Sequence, residues 1–457
     1  MRVLIVAANF VKIPYPVYPL GAGIIAETAR RCGHEVRLVD LLSAGGFAGY
    51  EPRILRQAIA EFKPDCVGLS LRNLESADSS NSDEHWSLDL VKHIVADIRE
   101  ITSAPQVIGG AGFSLMPEAV LNHTGADYGL AGEGEEIWPD FLDALAAGRA
   151  EPGLWAKARP GACQAASAYD PELVRRYTDQ GGLIGVQTKR GCPLNCLYCS
   201  YPLLEGRRVR PRPVEEVLGD LRRLTALVEH PHIAFADAVF NDPAGHWREL
   251  LAAMASADLK LSWTAFFQPA EFDRDDCRLM KSSGVSGLEF GTDGSNDAAL
   301  RGLHKPFDFA LVQRIQRQCA DHEIPAAHYL IFGGPGETPA TVEEGIENID
   351  RLDGCVAFIS TGLSIYPGTP LAELAQREGL INSDNDLRKP VFYYSPEIDP
   401  RQLNQRLTEA FGGRRDRLYP PASAVERTET LRRMGYRGIL WDTLIGSGQR
   451  RKRAANG

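Results

Sequence analysis

The chain has 457 residues, 44% of them hydrophobic, and carries 60 acidic against 50 basic side chains for a net charge of -10. At roughly 150 residues per domain this length predicts about three domains with substantial cores. The acidic balance argues against a general nucleic-acid binder, since phosphate contacts need clustered Lys and Arg. No run approaches the ~18 apolar residues of a membrane span. The basic run "RRKR", Arg450 to Arg453, reads as a solvated end, and the start "MRVLIVAANFVKIPYP" lacks a small-residue cleavage site and reads as a buried first strand.

In chain order, "VLIVA" (Val3 to Ala7), "EVRLVDLL" (Glu35 to Leu42), "DCVGLSL" (Asp65 to Leu71), "QVIGG" (Gln106 to Gly110) and "DYGLAG" (Asp127 to Gly132) are short β-rich runs. Helical stretches such as Ser87 to Glu100 and Glu136 to Leu145 separate them. The alternation predicts a five-stranded, doubly wound α/β domain of Rossmann-like type over residues 1–150. Ligands of such sheets sit beyond the carboxyl ends of the strands, where "GGAGFS" and "GEGEE" fall. Gly110, Gly112, Gly132 and Gly134 are therefore candidate binding positions, because glycine lets a bulky ligand approach the backbone. Gly21, Gly23 and Ala26 in "GAGIIA" lie too far beyond the first strand to form a dinucleotide fingerprint.

Residues 151–180, rich in Pro, Gly and Ala, read as a linker. A second alternating series follows over 181–372, with candidate strands Leu183 to Gln187, His232 to Ala236, Leu259 to Ala265, Gly287 to Gly291, Ala326 to Phe332 and Val356 to Leu363. Six βα units predict an open, partial barrel, with functional residues at the strands' carboxyl ends. Residues 373–457 form a C-terminal extension.

Six of the nine cysteines, including Cys319, are scattered singly, as expected of reduced thiols in a cytoplasm. The other three, Cys192, Cys196 and Cys199, fall together in "RGCPLNCLYCSYP" directly after the first strand of the second series. Three thiolates without a fourth suit a four-iron, four-sulfide cluster with one iron open to a ligand. Zinc would need a fourth ligand close by, and His232, the nearest downstream histidine, is too remote for a compact knuckle.

The C-x-x-x-C-x-x-C spacing, with Tyr198 before the last cysteine, resembles the signature of radical S-adenosylmethionine (SAM) enzymes, and the likeness runs from about Leu183 to Leu371. It implies a 4Fe-4S cluster on the three cysteines, SAM on the open iron, and one-electron cleavage of SAM to a radical that takes hydrogen from carbon. It further implies SAM contacts from Asp237 in "FADAVFNDP", from Glu289 and Asp293 in "LEFGTD", and from Gly333, Gly334 and Pro335 in "YLIFGGPGET". Any one of these acids can instead be a helix cap or a solvated turn. "IYPGTPL", Ile365 to Leu371, resembles a late-barrel motif of the same family.

The α/β domain ahead of the barrel resembles the cobalamin-binding, methyltransferase-like class. Its base-off motif D-x-H-x-x-G is missing: "DEHWSL" offers Asp83 and His85, with Leu88 where Gly is needed. Arg72, directly after the third strand, is placed to lie beneath a corrin or to fill its space. The resemblance implies methylation of a carbon in a natural product, possible cobalamin dependence, a small-molecule substrate, an electron donor such as flavodoxin or ferredoxin, and no membrane or nucleic-acid partner. The alternatives are radical dehydration of a sugar diol in aminoglycoside biosynthesis, with a partner reductase, and an RNA-modifying or non-catalytic cluster protein. The last would show further clustered cysteines and a basic RNA-binding module, which the sequence lacks.

Overall fold

The computed structural model describes every residue except 12–14, 47–48, 75–86, 158–160, 162, 164–165, 383–386, 388, 422 and 446–457. Asp83, His85 and the run Arg450 to Arg453 thus lie outside the described residues.

The first sheet has six parallel strands rather than five, in the order β2-β1-β3-β4-β5-β6. They are β1 (Arg2–Ala7), β2 (Glu35–Asp40), β3 (Cys66–Ser70), β4 (Gln106–Gly109), β5 (Tyr128–Ala131) and β6 (Gly153–Ala156). The two-residue side-chain period sends alternate residues to opposite faces, and both faces are buried under helices. Leu4, Val6, Val67, Leu69 and Ile108 pack on one side with Leu55, Ile59, Val91 and Ile94. Val3, Ile5, Cys66 and Val107 pack on the other with Ala22, Ala26, Trp138 and Phe141. The sixth strand comes from the segment read as a linker and pairs along β5 from Tyr128↔Gly153 to Ala131↔Ala156. Its four residues, GLWA, alternate between partly buried and exposed and are too few to form a periodic pattern. The same segment holds the helix Pro171–Asp179, whose start follows from Asp170 accepting from the Leu173 amide at 2.9 Å with Pro at the first helical position.

The second sheet has seven parallel strands in the order β17-β14-β13-β12-β11-β10-β7. In chain order, β7 (Ile184–Val186) is followed by the small ladder β8 (Lys189–Arg190) and β9 (Arg210–Pro211), then β10 (His232–Phe235), β11 (Ser262–Phe267), β12 (Val285–Asp293), β13 (Ala326–Phe332) and β14 (Cys355–Thr361). The pair β15 (Leu363–Ser364) and β16 (Phe392–Tyr393) and the short β17 (Arg417–Leu418) complete the set. The expected strand Val356 to Leu363 is broken at Gly362, which turns with φ +72°. The third candidate starts late because Leu259 to Leu261 is a turn, the Leu261 amide donating to the Leu259 carbonyl at 3.0 Å.

The C-terminal extension is part of the barrel. Besides supplying β17, it places Ile439, Trp441 and Leu444 against Tyr15, Leu183 and Phe358 at the amino ends of the strands. There a Cβ on Gly287 would meet Ile439 at 2.5 Å. The first domain reaches the same wall: Val17 bridges to Leu183 beside β7, and the Tyr177 hydroxyl donates to Asp40 at 2.9 Å.

Candidate active site

The cysteine loop leaves β8 at the carboxyl end of the barrel. Gly191 starts it with φ +90°, and a Cβ there would lie 2.1 Å from the Arg208 carbonyl, so only glycine fits this crossing. Backbone bonds fix the loop: the Cys192 amide donates to Gly206 at 3.1 Å, the Leu197 amide to Leu303 at 3.1 Å, and the Leu371 amide to Leu197 at 3.0 Å. Cys192 and Cys196 are buried and Cys199 nearly so. Burial raises all three thiol pKa values, Cys199 to about 12, while the Lys305 ammonium opposes that rise at each. Among the described residues no three His, Cys, Asp or Glu side chains converge to hold a single ion. A cubane asks for none of that convergence, because each thiolate takes its own iron corner. Three buried thiols on one rigid loop beside a fixed cation fit an anionic cluster better than a single metal ion.

Beside this loop the structure brings together two of the expected residues and one that sequence reasoning missed. Asp293 sits at the end of β12 with φ +60°, just past a register shift between Phe290 and Asp293 that re-aims its side chain. Its carboxylate accepts from the Tyr198 hydroxyl and from Lys305, whose ammonium also donates to the Gly291 carbonyl at 3.2 Å. Burial works against the Lys305 charge, but Asp293 and Cys196 outweigh it and hold its pKa above the ordinary value. Lys305 carried no local signal: it follows "LEFGTD" only after the intervening helix Asp297–Gly302.

Gly333, Gly334 and Pro335 are also next to the cluster loop. The Pro335 carbonyl lies where a Cβ on Gly302 would be, adjoining Leu303. Glu337, fully buried, fixes this turn by accepting from the Gly333 and Gly334 amides at 2.7 Å each. Burial raises its pKa to about 7, with the two amides pulling the other way.

Asp237 requires a correction. Its carboxylate accepts from the Thr188 amide at 2.7 Å, the Lys189 amide at 3.2 Å and the Lys189 ammonium at 2.9 Å, and also from the Thr188 hydroxyl. It is fully enclosed and ties β10 to the strand that leads into the cysteines, leaving no lone pair for a ligand. Glu289 is likewise spoken for: Tyr15, Thr264 at 3.1 Å and Tyr329 at 2.9 Å donate to it inside the barrel, and burial raises its pKa.

The glycines of the first domain mostly serve the chain itself. Gly110 (φ +105°) and Gly112 let the turn after β4 cross the backbone of residues 71–73, a Cβ on Gly110 falling 2.4 Å from the Leu71 carbonyl. Gly134 makes room for Ile25, at 2.6 Å from its Cβ position. Gly132 (φ +106°) alone of the four faces open space.

Strand ends of the two domains face each other. Arg190, before the first cysteine, pairs with Glu133 at 2.9 Å and with Glu135, the N-cap and a first-turn residue of the helix Gly134–Ala146 that follows β5, and Arg210 pairs with Glu133. The helix Ala111–Leu115 after β4 contacts the helix Tyr201–Leu204 after the last cysteine. Arg72 is exposed after β3, with its charge close enough to lower the Tyr15 pKa against its larger rise from burial. In and beside the opening, Phe266, Tyr201 and Leu203 remain 41%, 42% and 52% exposed. Phe266 lies inside the barrel against Tyr329, which stacks on Phe358 with ring centres 5.0 Å apart. Such uncovered apolar surface between two sets of strand ends marks a ligand cleft.

Comparisons with known proteins agree with this architecture. Residues 6–142 match the B12 binding domain and residues 186–349 match the Radical SAM superfamily. The tryptophan 2-C-methyltransferase of Streptomyces laurentii is 25% identical over 446 residues, covering 79% of this chain and 72% of that protein. The cytidylyl-2-hydroxyethylphosphonate methyltransferase of Streptomyces wedmorensis is 22% identical, covering 90% and 89%. In fold, the chain is similar to the radical SAM methyltransferase TsrM from Kitasatospora setae, with a TM-score of 0.82, 22% identity and all of both chains covered.

Proposed function

Because the chain belongs to the radical SAM superfamily, in the class that carries a B12-binding domain, we propose that it transfers a methyl group to carbon of a small molecule held between its two domains. The observation that carries this reading is the juxtaposition of three buried thiols and Lys305 with the strand ends of the first domain. Cys192, Cys196 and Cys199 hold a 4Fe-4S cluster. Asp293, Tyr198 and the Gly333–Gly334–Pro335 turn border the place for SAM. Arg72 and Gly132 face a corrin. When bound, these groups supply a low-potential electron, a methyl donor and a cobalt methyl carrier.

The chain's own contribution is placement and shielding. Arg190 and its two glutamates clamp the domains so that the cleft keeps one width, and Asp237 with Lys189 pins the strand that feeds the cysteine loop. Phe266, Tyr329 and Phe358 form an aromatic wall that displaces water and suits an apolar, ring-bearing part of the substrate. The Streptomyces laurentii relative acts on tryptophan, which has that character. A flavodoxin or ferredoxin supplies the electron. The methyltransferase relatives do not favour the dehydration alternative.

The test is anaerobic reconstitution with iron, sulfide and cobalamin, followed by incubation with methyl-labelled SAM and candidate metabolites, including tryptophan and aminoglycoside precursors. Corrin absorbance that stays with the protein, S-adenosylhomocysteine and labelled product are expected. An unlabelled, oxygen-depleted product without S-adenosylhomocysteine would overturn the reading in favour of dehydration.

A further inference from the structure

The cysteine loop has an exposed side. Pro193 and Asn195 are exposed, and each is bonded directly to a buried cysteine, Cys192 or Cys196. Since successive Cα atoms are ~3.8 Å apart, this surface stands within one or two peptide units of the thiols. Guanidinium groups collect around it. Arg207 donates to the Leu194 carbonyl at 3.2 Å and to Asn195 at 2.9 Å. Arg208 is exposed beside it, on the segment that packs on Gly191. From the other flank comes exposed Arg301, two residues before the Leu303 carbonyl that holds the Leu197 amide. None of these three makes an ion pair among the described residues, although the chain as a whole carries a charge of -10. The nearby acids Asp297 and Asp308 accept backbone amides of Phe309 and Leu311 at 2.8 Å each.

We propose that the face formed by Pro193, Asn195, Arg207, Arg208 and Arg301 is the docking surface for a small acidic one-electron carrier. An acidic protein repels such a partner over most of its surface, so a local basic patch both steers it and fixes where it lands. The patch adjoins Pro193 and Asn195, which are bonded directly to two of the cluster cysteines. One electron passes from carrier to cluster; the carrier is oxidised by one, the cluster reduced by one, and no bond is made or broken. The inference rests on the cluster assignment above.

The experiment uses the reconstituted protein and two probes, a bacterial flavodoxin and a plant-type ferredoxin, with affinity read by calorimetry at low and moderate salt. Cluster bleaching by the reduced carrier is compared with bleaching by dithionite. Binding of at least one carrier, weakening as salt rises, is expected. Arg208→Glu with Arg301→Glu should lower that affinity at least tenfold and slow carrier-driven bleaching to match, with dithionite-driven bleaching unchanged. Arg53→Glu with Arg56→Glu, the same change in net charge on the first domain's helix Pro52–Phe62, should leave affinity within about twofold. Failure of the parent to bind either carrier, unchanged binding by the patch variant, or an equal loss in the control variant each overturns the proposal. Absence of a dithionite-reducible cluster would instead count against the cluster assignment, while the calorimetry still decides the docking surface.

Discussion

Lys305→Met separates two consequences of one cation. The ammonium is paired with Asp293 in a site where the two side chains are only 5% and 11% exposed. Removing it strands a buried carboxylate whose remaining side-chain donor is Tyr198. Breaking one side of a buried pair costs about 3–5 kcal/mol. Asp293→Asn should cost a similar amount by stranding the ammonium, and the double variant should cost less than the sum, because neither charge is left alone. The Lys305 charge also acts on the cluster thiols, opposing the rise that burial gives the Cys196 pKa. A positive charge there favours the reduced, more negative cluster. At ~5 Å and an effective dielectric of ~20 the interaction is about 3 kcal/mol, or roughly 130 mV for one electron. Denaturant unfolding of the apoprotein reads the first effect, and an anaerobic redox titration followed by electron paramagnetic resonance reads the second. The midpoint potential should fall by on the order of 100 mV in Lys305→Met. An intact cluster whose potential stays within the titration error, together with strictly additive stabilities, would refute the placement of Lys305 as both the partner of Asp293 and the neighbour of the thiolates.

Other outcomes follow from the same geometry. Cys192→Ala, Cys196→Ala or Cys199→Ala should each abolish cluster absorbance and SAM cleavage, whereas Cys319→Ala, in the helical core of the barrel, should retain both; iron and sulfide assays decide. Asp237→Asn should act through structure, leaving the Lys189 ammonium only its longer pair with Asp242 at 3.4 Å, which costs less than the ~3–5 kcal/mol of a fully stranded buried charge, and lowering cluster content, so an intact, stable protein with only weakened SAM affinity would contradict it. Glu337, whose folded pKa is raised to about 7, binds its proton more tightly folded than unfolded. Its protonated form therefore supports the fold below the unfolded value, and that stability is lost as pH rises from ~4.5 to ~7, amounting to roughly 3 kcal/mol. Glu337→Gln should flatten that part of the pH–stability curve, and an unchanged slope would count against the burial argument.

What was legible in the sequence was local. The cysteines declared themselves because their spacing fits on one loop, and the strands of both sheets appeared as short apolar runs because parallel strands are buried on both faces. Asp237 misled because its occupant, Lys189, lies 48 residues earlier and nothing local joins them. Gly110 and Gly112 correctly signalled a close approach, yet glycine does not say what approaches, and here it is the backbone of residues 71–73. Lys305, Arg190 and Glu135 were silent for the same reason: a pair that exists only after folding leaves no periodic trace. β6 and β17 went unread because a four-residue and a two-residue edge strand carry too few side chains to form a pattern.

The wall of the barrel is finished by two segments far apart in sequence. Tyr15 and Val17 close it from one side, while Ile439, Trp441 and Leu444 lie against the same residues from the other. The apolar inner wall therefore waits open until residues 439–444 have been made. That raises the sequence separation of the closing contacts and slows the final step of folding. It also exposes a half-made sheet to aggregation. A barrel fragment cut at residue 181 or 372 should aggregate more readily than residues 1–457 together, so the two halves are best regarded as one folding unit whose clasp is the meeting of residues 15–17 with residues 439–444.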